Sequence, residues 1–393
     1  MVDVDTASFL AIGATAALAA TLVTFGGRWV FVPVVVLELL FGILIGPDVL
    51  GIAQSDQFVM FFSNLGLGML FFFAGYEIDF ERIRGAPLKL AAVGWVISLV
   101  LAYSLGGILA LSGVVLSLLF TGSALATTAI GTLIPILDDA GELKTRFGTY
   151  LLAAGAVGEF GPILLITFLF STDTPLTSGA VLMLFIAVAV FAAVFAVRFV
   201  GLGWDRIEGA METSSQLPVR VSVLLVFALA YLASDLGLDL LLGGFVAGVI
   251  TRLALKGREV TIFESKLSAV GYGFLIPFFF VVSGVNFDMS ALVDDPARAA
   301  LVPIFFVLFL IVRGVPAMLL YRKVLDFRDR AALAFFSSTE LPLVVAITTI
   351  AVAEGHMKAT TSAALVGAAV LSTAVYPLLG LRMRGSGKEP KGA

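Results

Sequence analysis

Four residues able to carry a charge lie inside long apolar runs of this chain: Glu38, Glu159, Arg313 and Glu340. A charged side chain at the centre of such a run costs about 2.5–3.5 kcal/mol on insertion scales, so each is a candidate for function. Glu159 stands in GAVGEFGPILL, within a stretch from Phe147 to Thr172 that holds no other charge. A buried carboxylate among hydroxyls and carbonyls can hold a proton or a hard cation, which prefers oxygen ligands. Other chemistries are excluded. There is no Cys, hence no thiolate ligand or nucleophile, and the one His, His356, follows Gly355 in an expected loop. A His-based metal cluster or catalytic dyad is therefore not available.

These residues must be positioned by helices in a bilayer. The 393 residues are 60% hydrophobic and 13% charged, with a mean hydropathy of +1.09. A soluble chain carries roughly a quarter of its residues charged. The 34 Phe and 40 Gly suit helices packed against lipid and each other. Thirteen spans are expected, over 7–25, 29–46, 57–76, 88–112, 114–137, 147–171, 177–197, 217–236, 238–251, 267–286, 299–321, 331–353 and 359–381. MVDVDTASF lacks a basic n-region, so the first is expected to be retained. Apart from Arg313, Lys and Arg divide 21 to 2 between the two faces, only Arg298 and Lys358 falling on the minority face. Basic residues accumulate in the cytosol, which puts the N-terminus outside and the C-terminus, with its tail 382–393, inside the cell membrane. The net charge of −4 gives no reason to expect a nucleic-acid partner.

The chain carries an internal repeat. MLFFFAGYEIDFERI (69–83) resembles IPFFFVVSGVNFDMSAL (276–292), and LLFGILIG (39–46) resembles LLGGFVAG (241–248). The offset is seven spans, an odd number, so the halves 7–171 and 217–381 are inverted about a linker helix at 177–197. Inverted repeats with a midplane site are a transporter architecture. The offset pairs spans five and twelve, and both are interrupted. SLLFTGSALATTAIGTLIPIL contains Thr121, Ser123, Thr127, Thr128, Gly131 and Pro135; ALAFFSSTELPLVVAITTI contains Ser337, Ser338, Thr339, Glu340 and Pro342. Proline removes a donor and disfavours helix in the residue before it. Unwound backbone at this depth is tolerated only where it lines a cavity or packs in protein.

PVVVLELLFGILIGPDVLGI (33–52), LGLGMLFFFAGYEIDFERIR (65–84), TGSALATTAIGTLIPILDDAGELKTRFGTYLLAAGAVGEFGPILL (121–165) and FLIPFFFVVSGVNFDMSAL (274–292) resemble the monovalent cation:proton antiporter superfamily, nearest its Kef-type sodium/potassium–proton exchangers. The resemblance implies an all-α fold of thirteen helices with the fifth and twelfth unwound and crossed. It also implies a homodimer whose core domain moves against a dimer-forming domain, and exchange of Na⁺ or K⁺ for protons by alternating access. The family's ion-binding acid falls on Glu159. Where the family often has two adjacent polar residues, this chain has Gly158-Glu159, and where it commonly has Lys in the eleventh helix, the residue is Arg313. The chain closes on RMRGSGKEPKGA, so gating by a cytosolic nucleotide-binding domain is not expected.

On this reading Glu159 exchanges a proton for a cation whose other oxygens come from Thr127 and Thr128, as hydroxyls or carbonyls. Gly158 allows close backbone approach or leaves room for water. Arg313 stays charged and neutralises a carboxylate, expected to be Glu340, or the negative ends of half-helices; Ser338 and Thr339 belong to the same network. With only Glu159 cycling, one cation exchanges for one proton, without a cofactor. Glu38 is expected at a helix–helix contact, Asp235 and Asp239 in solvent, and DDAGE (138–142) in a cytosolic loop that attracts cations. Rival readings are a sodium-coupled symporter of organic anions, a cation channel and a membrane-embedded enzyme acting through an acid pair. The symporter needs a pocket for a bulky solute, the channel a filter of repeated carbonyls.

Overall fold

The computed structural model describes residues 5–26, 33–78, 80–169, 175–212, 215–236, 238, 240–256, 258, 260–293 and 299–385. The helices are α1 (Thr6–Gly26), α2 (Val34–Ile45), α3 (Gln57–Tyr76), α4 (Ala86–Leu111), α5 (Leu118–Leu125), α6 (Ile130–Asp139), α7 (Arg146–Leu169), α8 (Pro175–Glu212), α9 (Leu217–Asp235), α10 (Leu240–Ala254), α11 (Thr261–Val285), α12 (Leu301–Lys323), α13 (Phe327–Ser337), α14 (Pro342–Ala353) and α15 (Ala359–Arg384). With α13 and α14 counted as one broken span and α5 and α6 as another, ten spans among the described residues are long and apolar enough to cross a membrane and three shorter ones are apolar. Taken in order, they fall one for one on the thirteen expected runs.

The differences have physical causes. α8 continues to Glu212, well past the expected 197, because GLGWDRIEGAME is polar yet still helical, and hydropathy reads only the apolar part. α13 starts at Phe327 rather than 331. Asp326 caps it, its Oδ1 accepting from the Asp329 N–H at 2.7 Å, so charged residues form its first turn. α11 and α12 each contain a π-helical turn, over Gly271–Leu275 and Leu310–Gly314, that apolar patterning does not announce. Such turns are rare and frequent at functional sites.

The chain divides into two compact units. The first holds residues 1–9, 55–78 and 163–282. Asp56 caps α3, accepting from Val59 N–H at 2.7 Å and from Asp5 N–H at 2.8 Å; these two bonds hold its carboxyl below the ordinary carboxylate range. α3 and α10 meet backbone to backbone. A Cβ on Gly75 would strike the Phe245 carbonyl, and one on Gly248 the Phe72 carbonyl. Without a hydrophobic drive between helices in lipid, such close approach supplies the packing energy. Gly248→Ala should therefore lower stability by about 1–3 kcal/mol, the usual cost of overpacking. A drop in melting temperature in detergent would register it. Gly13→Ala is the control, because its Cβ meets nothing within 4 Å.

The second unit holds residues 10–54, 79–162 and 283–393. Leu133 and Leu137 of α6, Phe147 and Leu151 of α7, Tyr321 of α12 and Leu333 and Phe336 of α13 belong to one buried cluster. Glu38 is buried on α2, where the Leu39 and Gly42 backbone lies against Gly284, in keeping with a helix contact. Asp235, in the first unit, is exposed at the end of α9; Asp239 lies outside the described residues.

Candidate functional site

The two interrupted spans are both broken. α5 stops at Leu125 and α6 begins at Ile130, while α13 stops at Ser337 and α14 begins at Pro342. Leu341, forced out of the helical region by the following proline, has φ −152°. The two breaks bond to each other, Ala129 N–H donating to the Thr339 carbonyl at 2.8 Å. Thr128 N–H donates to the Gly158 carbonyl of α7 at 3.0 Å. That carbonyl is free because Pro162, four residues on, has no N–H to offer it. Pro316 acts similarly in α12, where the released Val312 carbonyl accepts from Ser98 Oγ at 2.9 Å. The prolines thus convert helix carbonyls into anchors for neighbouring elements.

Arg313 lies in the π turn of α12 and is 5% exposed. Its Nε and Nη2 donate to Thr128 Oγ1 at 2.9 and 2.8 Å, Nε also to the Ser337 carbonyl at 3.3 Å, Nη1 to Ser98 Oγ at 3.3 Å and Nη2 to the Ala154 carbonyl at 3.3 Å. Ser337 ends α13, so the guanidinium sits at the negative end of a half-helix. No Arg313–Glu340 contact within 4 Å occurs among the described residues. Of the two expected partners, the half-helix end is the one contacted; Glu340 adds only a Coulombic interaction. A cavity of about 20 Å³, room for a single water, lies beside Arg313, Ser98, Tyr321 and Ser337.

Glu159 is 2% exposed and its Oε2 has no hydrogen-bond partner. The Ile130 and Gly131 amides, in the first turn of α6 and thus at a positive half-helix end, act on it electrostatically. Glu340 is fully buried just before α14. Thr127 Oγ1 donates to its Oε2 at 3.1 Å, and its Oε1 is unpartnered. Ser372 and Thr373 of α15 hold its backbone; Ser372 Oγ is 3.0 Å from its N–H, and Thr373 Oγ1 donates to its carbonyl at 3.4 Å.

The crossing therefore gathers Thr127, Thr128, Gly158, Glu159, Arg313, Thr339 and Glu340 within the second unit. The Thr128 hydroxyl donates to the Ser337 carbonyl at 2.6 Å while accepting from Arg313, so it is already engaged. Ser338 and Thr339 turn their hydroxyls back onto their own helix, to the Ala334 carbonyl at 2.7 Å and the Phe335 carbonyl at 3.3 Å, and Thr339 contributes its carbonyl instead. Sequence reasoning named Gly158 but overlooked Ser98, Trp95, Ser372 and the row that Gly155 and Gly161 make with it. A Cβ there would strike Ile130, then Arg313 and Thr128, then the Trp95 ring. Glycine at every third position of GAVGEFG was the available signal, since it makes one bare helix face.

A sequence profile of the family described as "Sodium/hydrogen exchanger, transmembrane" matches residues 13–380. The Bacillus subtilis protein YjbQ is 27% identical over 369 residues, 88% of this chain and 58% of that protein. The Na⁺/H⁺-K⁺ antiporter GerN of Bacillus cereus is 28% identical over 277 residues, 66% of this chain and 67% of GerN. The high-affinity Na⁺/H⁺ antiporter NhaS3 of Synechocystis is 27% identical over 339 residues, 83% of this chain and 71% of NhaS3. This chain thus spans little more than half the length of YjbQ. The fold is similar to that of the sodium proton antiporter MjNhaP1 of Methanocaldococcus jannaschii, with a TM-score of 0.60 and 17% identity over 95% of this chain and 94% of that one. With its profile matched over nearly every described helix, the chain belongs to the transmembrane sodium/hydrogen exchanger family.

Proposed function

We propose that the chain exchanges Na⁺ or K⁺ for protons across the cell membrane by alternating access, with Glu159 binding either ion. The observation that carries this is a buried carboxyl with an unpartnered oxygen beside two broken helices. Its charge must be cancelled for it to persist there, and a proton or a cation does so equally well. Oxygens of the 127–129 turn complete the cation's shell; Thr127 and Thr128 contribute mainly carbonyls, since the Thr128 hydroxyl holds Arg313. Gly158 admits Arg313 to the crossing. Arg313, Glu340, Ser338 and Thr339 keep the opposed half-helices in place and do not cycle. Exchange is then one for one and electroneutral.

The inverted repeats 7–171 and 217–381, the linker between them, the Kef-type branch and a homodimer belong to the same reading and rest on the sequence resemblance. The 21-to-2 split of basic residues supports an outer N-terminus and a cytosolic C-terminus. The antiporters named among the relatives favour exchange over sodium-coupled symport of an organic anion, and over an enzyme.

The test is proteoliposomes with a preset pH gradient and an internal pH dye, to which Na⁺, K⁺ and Li⁺ are added in turn. Cation-dependent collapse of the gradient is expected, at a rate that does not change when membrane voltage is stepped. Gradients that survive every cation would sink the exchanger; voltage-dependent rates would sink electroneutrality.

A further inference from the structure

Far from the crossing, one guanidinium ties together the ends of four elements of the second unit. Arg384, in the last turn of α15, grips Glu142 with both arms, Nε to Oε1 at 3.0 Å and Nη2 to Oε2 at 2.7 Å. Its Nη1 reaches Asp329 Oδ1 at 2.6 Å, and its guanidinium carbon lies 4.6 Å from the centre of the Phe147 ring. Glu142 follows α6, Phe147 opens α7 and Asp329 lies in the first turn of α13. The Glu142 side chain is only 7% exposed and that of Arg384 16%, so this is no solvated surface pair. Glu142 is thus not the free acid of a cation-attracting loop; it is committed to Arg384. The loop is pinned further. Thr145 Oγ1 donates to the Glu142 carbonyl at 2.8 Å, and Arg82 donates to the Leu143 and Thr145 carbonyls and to Thr149 Oγ1.

We propose that Arg384 is a positioning residue for cation recognition: its clasp fixes the cytosolic ends of α6, α7 and α13 and thereby the oxygens that surround the ion. This rests on the exchanger reading. Those three helices carry the Ile130 and Gly131 amides, Gly158 with Glu159, and the Ser337 carbonyl. They are fastened at the crossing by the bonds of Thr128 and Ala129, and at their cytosolic ends by Arg384. Two fastenings hold a short helix rigid, whereas one lets it pivot. A hard cation's selectivity depends on its ligand geometry, and a supporting shell 1 Å too loose is enough to degrade a site. The bidentate fork suits this role, since it fixes direction as well as distance. Lysine offers a point charge without the fork.

The experiment compares full-length wild type, Arg384→Gln, Arg384→Lys and Arg382→Gln in proteoliposomes, measuring apparent KM for Na⁺ and for K⁺ separately from maximal rate. Arg382 is an exposed neighbour on the same helix end and controls for lost charge. Arg384→Gln is expected to raise the KM for Na⁺ about tenfold, the lower end of what loss of an outer partner of an ion's ligands costs, and to change the Na⁺:K⁺ ratio of KM values. Arg384→Lys should fall between, and Arg382→Gln should match wild type. A variant with wild-type KM values and only a lower maximal rate, in proportion to folded protein, would overturn the proposal. If Arg384→Gln does not fold, Asp329→Asn removes one arm and keeps the Glu142 fork; a wild-type ion ratio there would overturn it equally. Wild-type protein that exchanges no cation would instead sink the exchanger reading itself.

Discussion

Glu159→Gln is expected to reduce cation-dependent collapse of a pH gradient to the protein-free background. Gln keeps the shape of the side chain and its place beneath the Ile130 and Gly131 amides, but it takes up no proton and offers no charge to a cation. Both halves of the exchange cycle are lost together. Folding should survive, because a neutral group replaces one that is 2% exposed and has no counter-charge within 4 Å among the described residues. A melting temperature equal to or above that of wild type, with no transport, is the expected pair of results. Exchange above background in this variant would place the ion elsewhere, Glu340 being the next carboxyl to test.

Gly158→Ala should be almost as damaging, although it changes no charge. A Cβ at 158 would stand 2.8 Å from Thr128 Oγ1 and 3.0 Å from Thr128 Cβ, and would collide with Arg313 Nη2. Neither neighbour can retreat cheaply. Thr128 is held by its N–H to the Gly158 carbonyl and its hydroxyl to Ser337, and Arg313 by acceptors on four elements. Moving the guanidinium leaves a buried charge without its hydrogen bonds, among the costliest changes a single substitution makes. We expect a stability loss of at least the roughly 1–3 kcal/mol of an overpacked core. Exchange should fall by more than about tenfold, since displacing the groups that position a site by about 1 Å can cost roughly a hundredfold. Thermal melts and initial exchange rates measure the two effects. Wild-type values in both would mean that Arg313 is not anchored by this approach.

What sequence reveals here is set by how local the signal is. The thirteen runs and both breaks are local: apolar stretches, then Ser, Thr and Pro crowded into the middle of spans five and twelve. Glu159 is legible for the same reason, as a lone charge in an apolar run. The partners of Arg313 are not. They are backbone carbonyls of residues 154 and 337 and hydroxyls of residues 98 and 128, brought together by tertiary packing, and carbonyls have no sequence signature. The expected ion pair with Glu340 followed from matching charge to charge; half-helix ends and proline-freed carbonyls compete for the same guanidinium. Likewise, Glu142 looked like one of several loop acids because Arg384 lies 242 residues away. The length of α8 was hidden because hydropathy reports the apolar part of a helix and not the helix.

Proton release on cation binding tests the central idea, one carboxyl shared by two ions, most directly. Purified protein in weakly buffered detergent would be titrated with NaCl and with KCl while the pH is followed. Wild type is expected to release close to one proton per chain as the site fills, and Glu159→Gln none. Cation binding without proton release, or the same release from the variant, would contradict competition at Glu159.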